Sequence, residues 1–274
     1  MGATRATEAG TFREGVVAVP GAALHYVECG AGRPVVLLHG FTDSWHSFRL
    51  VLPGLADHAR CLAPDQRGHG RSAGPADDYS AGVYAADAAA FVEALGLGPV
   101  ALVGHSMGGL VARKVALARP DLVEKLVLVA APLRMDNPGV RELEAGIAGF
   151  AGAVPRAFAE EFQAGCVCDR SALPDGFFAA CVDASAGVAP RVWRETLAGL
   201  LADDHAARLG EIRCPALVIG GREDAFFGPA EQEELARALP RGRLLLYDGA
   251  GHSPHWEMPD RFVADVAEFL SARG

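Results

Sequence analysis

Short runs of consecutive apolar residues recur along the chain, separated by segments in which apolar and polar positions follow a helical period. Val35-Val36-Leu37-Leu38, Arg60-Cys61-Leu62-Ala63, Val100-Ala101-Leu102-Val103, Leu126-Val127-Leu128-Val129, Ala216-Leu217-Val218-Ile219 and the stretch 243–247 each read as a strand. Runs that are apolar at consecutive rather than alternate positions suit parallel strands buried on both faces. Between them, 45–52, 84–95, 110–119, 229–239 and 259–272 carry apolar residues three and four apart, the spacing of an amphipathic helix. The runs 15–19 and 24–29 flank Pro20-Gly21, which predicts an antiparallel hairpin. Residues 1–11 read as a loose arm. Strands alternating with helices predict an α/β fold with a doubly wound, mostly parallel sheet of about eight strands.

The rhythm breaks once. From 133 to 210 no strand-like run occurs, and segments 142–151, 155–164, 177–186 and 191–201 suit helices punctuated by Pro138, Pro155, Pro174 and Pro190. The predicted organisation is therefore a core in two parts, 1–132 and 211–274, with a helical lid at 133–210 inserted after the sixth strand. An insert there covers the carboxyl ends of the strands, where open α/β sheets bind ligands.

Composition narrows the partners. Half of the 274 residues are hydrophobic and 22% are charged, as in an ordinary globular protein. A net charge of −9, with scattered arginines and only Lys114 and Lys125 besides, argues against nucleic acid and against an anionic membrane surface. The start of the chain is small and polar with no apolar leader, and no run approaches the ~18 apolar residues of a membrane span. The six cysteines are dispersed and lack metal-ligand spacing, so they read as reduced thiols of a cytoplasmic protein. No cofactor or metal is expected.

Gly104-His105-Ser106-Met107-Gly108 stands between the strand 100–103 and the helix 110–119. The two glycines let strand and helix approach closely, which forces Ser106 onto a tight turn beside a helix N-terminus; this is the nucleophile-elbow pattern. A serine hydroxyl is a weak nucleophile without a base to take its proton. His252, after the last strand, is the expected general base, and Asp224, after 216–219, the expected partner of the other imidazole nitrogen. Glu223 and, more distantly, Asp136 are rival acids. The oxyanion formed on attack needs two preorganised donors, assigned to the backbone N–H of Met107 and of Phe41. His39 is read as a hydrogen-bonder of the Phe41 loop, with a place beside the substrate as the alternative; Phe41 and Trp193 are further candidates for substrate contact.

These motifs together carry a resemblance. Residues 35–131 and 214–272 resemble the α/β-hydrolase superfamily, in its lid-bearing branch with a His-Gly-Phe oxyanion loop. The matching residues are His39-Gly40-Phe41, Asp65 through Ser72, the elbow, Gly221-Arg222-Glu223-Asp224, and Gly251-His252-Ser253-Pro254-His255-Trp256-Glu257. In that family the turn from Asp65 to Ser72 is structural. The resemblance implies that related haloalkane dehalogenases and epoxide hydrolases, which carry an Asp nucleophile, differ from this chain, where Ser106 stands. Serine members include carboxylesterases, lactonases, carbon–carbon bond hydrolases and cofactor-free perhydrolases. The expected function is hydrolysis of a small apolar ester or lactone through an acyl-enzyme, with a carbon–carbon hydrolase or a slow-turnover ligand receptor as alternatives.

Overall fold

The computed structural model describes residues 5–7, 12–72, 74, 78–174 and 176–272. Its strands are β1 (Arg5–Thr7), β2 (Phe12–Val19), β3 (Ala22–Cys29), β4 (Pro34–Leu38), β5 (Arg60–Pro64), β6 (Val100–His105), β7 (Val123–Val129), β8 (Ala216–Gly221) and β9 (Gly242–Tyr247). They form one sheet in the order β1-β2-β3-β5-β4-β6-β7-β8-β9. Pairing is antiparallel from β1 to β5 and parallel from β5 to β9. The predicted hairpin is β2 and β3, turning at Gly21 with φ 76°. The strand beyond the expected eight is β1: Arg5–Thr7 pairs with β2 instead of joining a loose arm. The rest of residues 1–11 lies outside the described residues.

The α-helices are α1 (Leu52–Ala56), α2 (Ala81–Ala94), α3 (Met107–Ala118), α4 (Pro138–Ile147), α5 (Arg156–Ala164), α6 (Phe177–Gly187), α7 (Pro190–Leu201), α8 (Pro229–Ala238), α9 (Pro254–Glu257) and α10 (Pro259–Ser271). One expected helix differs. Residues 45–52 form a 3₁₀ turn over Trp45–Phe48, and a new helix, α1, starts at Leu52. Pro53 has no N–H for the carbonyl four residues back, so a helix begun at Trp45 cannot run through it, whereas proline is tolerated in a first turn.

Successive side chains of a strand face opposite ways, and the core divides accordingly. Val100 and Leu102 of β6, with Leu126 and Leu128 of β7, share a cluster with Phe91 of α2, Val111 of α3 and Leu235 of α8. Ala101, Val103, Val127 and Val129 join Leu55 of α1 and Phe262 and Val266 of α10. The insert's α4 to α7 also add to the first cluster, and a buried hydrogen bond of 2.8 Å between the Tyr84 and Thr196 hydroxyls ties α7 to α2.

The strand order reverses between β4 and β6. The chain leaves β4 towards β5 on one side and leaves β6 towards β7 on the other, so the loops part and open a crevice. Register keeps the strand ends level: Leu38 lies opposite Gly104, His105 opposite Val129, Val129 opposite Ile219 and Gly221 opposite Tyr247. The loops carrying Phe41, Ser106, Asp224 and His252 all leave from that one edge.

Candidate active site

Ser106 sits between β6 and α3 with φ 51° and ψ −117°, a left-handed backbone that an L-residue adopts only at a cost. The surroundings leave it no alternative. A Cβ on Gly104 would collide with the Gly108 carbonyl, and one on Gly108 with the Leu38 carbonyl, so only glycines permit this approach of helix to strands. The Ser106 N–H is held by the Val129 carbonyl at 2.9 Å.

Ser106 Oγ lies 2.9 Å from His252 Nε2, and His252 Nδ1 lies 3.0 Å from Asp224 Oδ2. A carboxylate only accepts, so Nδ1 carries the imidazole proton and Nε2 is left to accept from the serine. Asp224 Oδ1 in turn accepts from the Phe226 and Phe227 N–H groups at 2.8 and 3.1 Å. Burial opposes the Asp224 charge, but the field and hydrogen bond of His252, joined by those two donors, outweigh it and hold the carboxyl below its usual pKa. Gly221 lets the two loops meet, since a Cβ there would strike the Ala250 and Gly251 carbonyls. The rival acids point elsewhere: Glu223 accepts from Gly249 N–H, and Asp136 pairs with Arg141 at the surface.

Two imidazoles lie behind this chain. His105 donates from Nε2 to the His252 carbonyl at 3.0 Å. Burial, then His255 and His252, pushes the His105 pKa far down, and burial with His252 lowers His255 to about 3. Both are neutral at ordinary pH, so they pack beneath His252 without competing for its charge.

Met107 is the first residue of α3, and its N–H belongs to the first turn, which has no carbonyl partner within the helix. Phe41 follows β4 across the crevice. His39 is fully buried: Nδ1 donates to the Gly40 carbonyl at 2.8 Å and Nε2 accepts from Gln66 N–H at 2.9 Å. With both nitrogens used inside the loop, its alternative place beside the substrate is corrected; it is absent from the cavity wall. Asp65 is likewise structural, accepting from Trp45 N–H, Arg71 N–H and His25.

Beside Ser106 and His252 lies a narrow cavity with about 360 Å³ of atom-free space, part of it continuous with solvent. Its wall is Phe41, Met135, Val140, Leu143, Phe162, Leu197, Phe226 and Phe227. Trp193 is corrected from wall to backing. It is fully buried, meets Phe41 edge-on at 5.2 Å and Phe162 at 5.5 Å, and donates from Nε1 to the Ser185 carbonyl. Sequence reasoning missed Phe226 and Phe227, although two aromatics directly after the acid are a visible signal. Met135, Val140, Leu143 and Leu197 carry no such signal, because which face of an insert helix meets the crevice depends on packing between distant segments.

A linked hydroxyl, imidazole and carboxylate beside backbone donors is an arrangement for moving a proton off the hydroxyl as it attacks. The sequence model of the alpha/beta hydrolase family matches residues 35–266, and the chain belongs to that family. The non-heme haloperoxidase of Rhodococcus erythropolis is 33% identical over 279 residues, spanning 94% of this chain and 99% of that protein. Bifunctional epoxide hydrolase 2 of Sus scrofa is 38% identical over 132 residues, which are 47% of this chain and 24% of that protein's length. Among solved structures, the enol-lactonase from Burkholderia xenovorans LB400 matches with a TM-score of 0.85 at 26% identity, covering 94% of this chain and 100% of that one. Among the described residues no helix is long and apolar enough to cross a membrane.

Proposed function

We propose that the chain is a serine hydrolase that cleaves a carboxylic ester or lactone of a small apolar substrate. The observation that carries this reading is the hydrogen-bonded chain Ser106–His252–Asp224, opening onto a cavity with an apolar wall. Ser106 Oγ attacks the carbonyl carbon while His252 Nε2 takes its proton. Asp224 fixes the tautomer and stabilises the imidazolium. The Met107 and Phe41 N–H groups hold the oxyanion. Collapse expels the alkoxide, which receives the proton back from His252; in a lactone it stays attached to the acyl group. Water, activated by the same imidazole, then hydrolyses the acyl-enzyme.

The nucleophile's chemistry argues against an epoxide-opening route like that named for the Sus scrofa relative. A carboxylate nucleophile leaves an alkyl ester whose carbonyl water can attack, whereas a serine hydroxyl would leave an ether with no such carbonyl and a permanently blocked enzyme. The segment 133–210 acts as a lid in this reading, since it supplies Met135, Val140, Leu143, Phe162 and Leu197 to the wall. Six unpaired thiols support a reducing compartment, the cytoplasm.

The test is labelling with a fluorophosphonate and mapping of the modified peptide, alongside turnover of p-nitrophenyl acetate. The adduct is expected on Ser106, with many turnovers per protein and none in Ser106→Ala. An adduct elsewhere, or full activity in that variant, overturns the mechanism; a stall after about one turnover identifies a receptor.

A further inference from the structure

We infer that Gln163 and Ser185 of the insert are positioning residues: they clasp the loop after β4 in the conformation that presents the Phe41 N–H to the reacting carbonyl oxygen. The inference rests on the serine-hydrolase reading above.

The loop needs holding. Thr42, next to Phe41, has φ 63°, and a β-branched residue with positive φ is a genuine outlier that persists only where its surroundings impose it. The imposing groups come from far along the chain. Ser185 Oγ, on α6, lies 3.0 Å from Thr42 Oγ1 and donates to the Thr42 carbonyl at 3.2 Å. Gln163, on α5, donates from Nε2 to Ser185 Oγ at 2.6 Å and to Asp43 Oδ1 at 2.9 Å. The amide nitrogen has two hydrogens, and both are used. Thr42, Asp43, Gln163 and Ser185 are all buried, so solvent has little access to replace a lost bond. The Trp193 indole donates to the Ser185 carbonyl at 3.2 Å and fixes α6 there.

Asp43 passes the hold back to the turn that contains Phe41. Its N–H reaches the Gly40 carbonyl at 3.3 Å, while its carboxylate accepts from Gln163 at 2.9 Å. Residues on both sides of Phe41 are thereby anchored, one side directly by the insert. Unseating the insert would break these bonds and free the strained turn, so the donor is in place only while the insert is docked.

The charged and titratable groups facing Asp43 are His105, with Nδ1 at 3.8 Å, His252, Cys166 and Cys181. A test by pH must cancel their titration. Gln163→Leu removes both donors at similar volume; Gln163→Glu places a second carboxyl against Asp43, and two such groups share one proton. With that proton the two carboxyls share one hydrogen bond, which restores the amide's link to Asp43 but not its second bond, to Ser185; without it the pair repels.

On p-nitrophenyl acetate, Gln163→Leu is expected to lose about 10–100-fold in kcat with KM within about threefold, a part of the 10²–10³ typical of a deleted oxyanion donor. The kcat of Gln163→Glu, divided by that of the wild type at each pH, is expected to rise at least about tenfold from pH 8 to pH 5.5 as the pair takes up its proton. A crystal structure of Gln163→Leu is expected to show Thr42 out of the left-handed region. If the wild type shows no Ser106-dependent turnover, the hydrolase reading falls and the clasp with it. If it does, and the Gln163→Leu kcat stays within twofold, the clasp alone is overturned. Should Gln163→Leu fail to fold, a flat ratio for Gln163→Glu overturns it.

Discussion

Ser106, His252 and Asp224 differ in what their replacement removes. Changing Asp224 to Asn keeps the shape but turns an acceptor pair into a carbonyl and an NH₂. The NH₂ facing Nδ1 would drive the imidazole proton to Nε2, where it blocks acceptance from Ser106. Steady-state kinetics of Asp224→Asn are expected to show kcat lower by on the order of 10³–10⁴. Asp224, held below its usual pKa, keeps its charge and its hold on the imidazole through the neutral range. Asp43 behaves in the opposite way, since burial pushes its carboxyl from 3.8 up to about 6 despite its donors. A raised carboxyl binds its proton more tightly folded than unfolded, so its contribution to stability declines as pH rises from about 4 to about 6 and stays unfavourable above. That contribution is on the order of 3 kcal/mol. The melting temperature of Asp43→Asn minus that of the wild type is expected to climb across the same window.

Among the elements, the elbow tolerates least. Gly104→Ala and Gly108→Ala each drive a methyl into a backbone carbonyl, and both are expected to lose upwards of about 3 kcal/mol by denaturant melts or fail to fold. Gly149→Ala, where a Cβ meets nothing within 4 Å, should melt within about 0.5 kcal/mol of the wild type. The core strands were readable from the sequence because burial on both faces leaves a run of consecutive apolar residues, as in Leu126-Val127-Leu128-Val129. Arg5–Thr7 was not, because an edge strand is specified by its pairing with Phe12–Val19 and not by its own composition. The break at Pro53 was visible as a residue, but only the structure shows a 3₁₀ turn taking the place of a helix's first half.

The whole molecule brings Ser106, Asp224 and His252 together through strand-end register, and chain order with glycine placement sufficed to pick them out. Phe41's place on the cavity wall was legible from its position in the loop after Leu38. Asp43, Gln163 and the wall residues Met135, Val140, Leu143 and Leu197 were not, since a buried polar pair 120 residues apart leaves no local period. The assembled wall has a consequence for substrate choice. No cation lines the cavity among the described residues, and a carboxylate buried without a partner is heavily penalised. The kcat/KM for p-nitrophenyl butyrate is expected to exceed that for the p-nitrophenyl half-ester of succinate by at least about 10², the factor of a 2.7 kcal/mol difference.

The backbone of Ser106 sets function against durability. Its φ of 51° suits glycine, which reaches that region freely, and in the proposed mechanism only the hydroxyl calls for serine there. Ser106→Gly is therefore expected to be inert and yet harder to unfold, by about 1 kcal/mol. On the hydrolase reading, a population selected only for heat resistance would drift towards glycine at this position, discarding the reaction for a sturdier chain, and only demand for turnover would keep the serine in place.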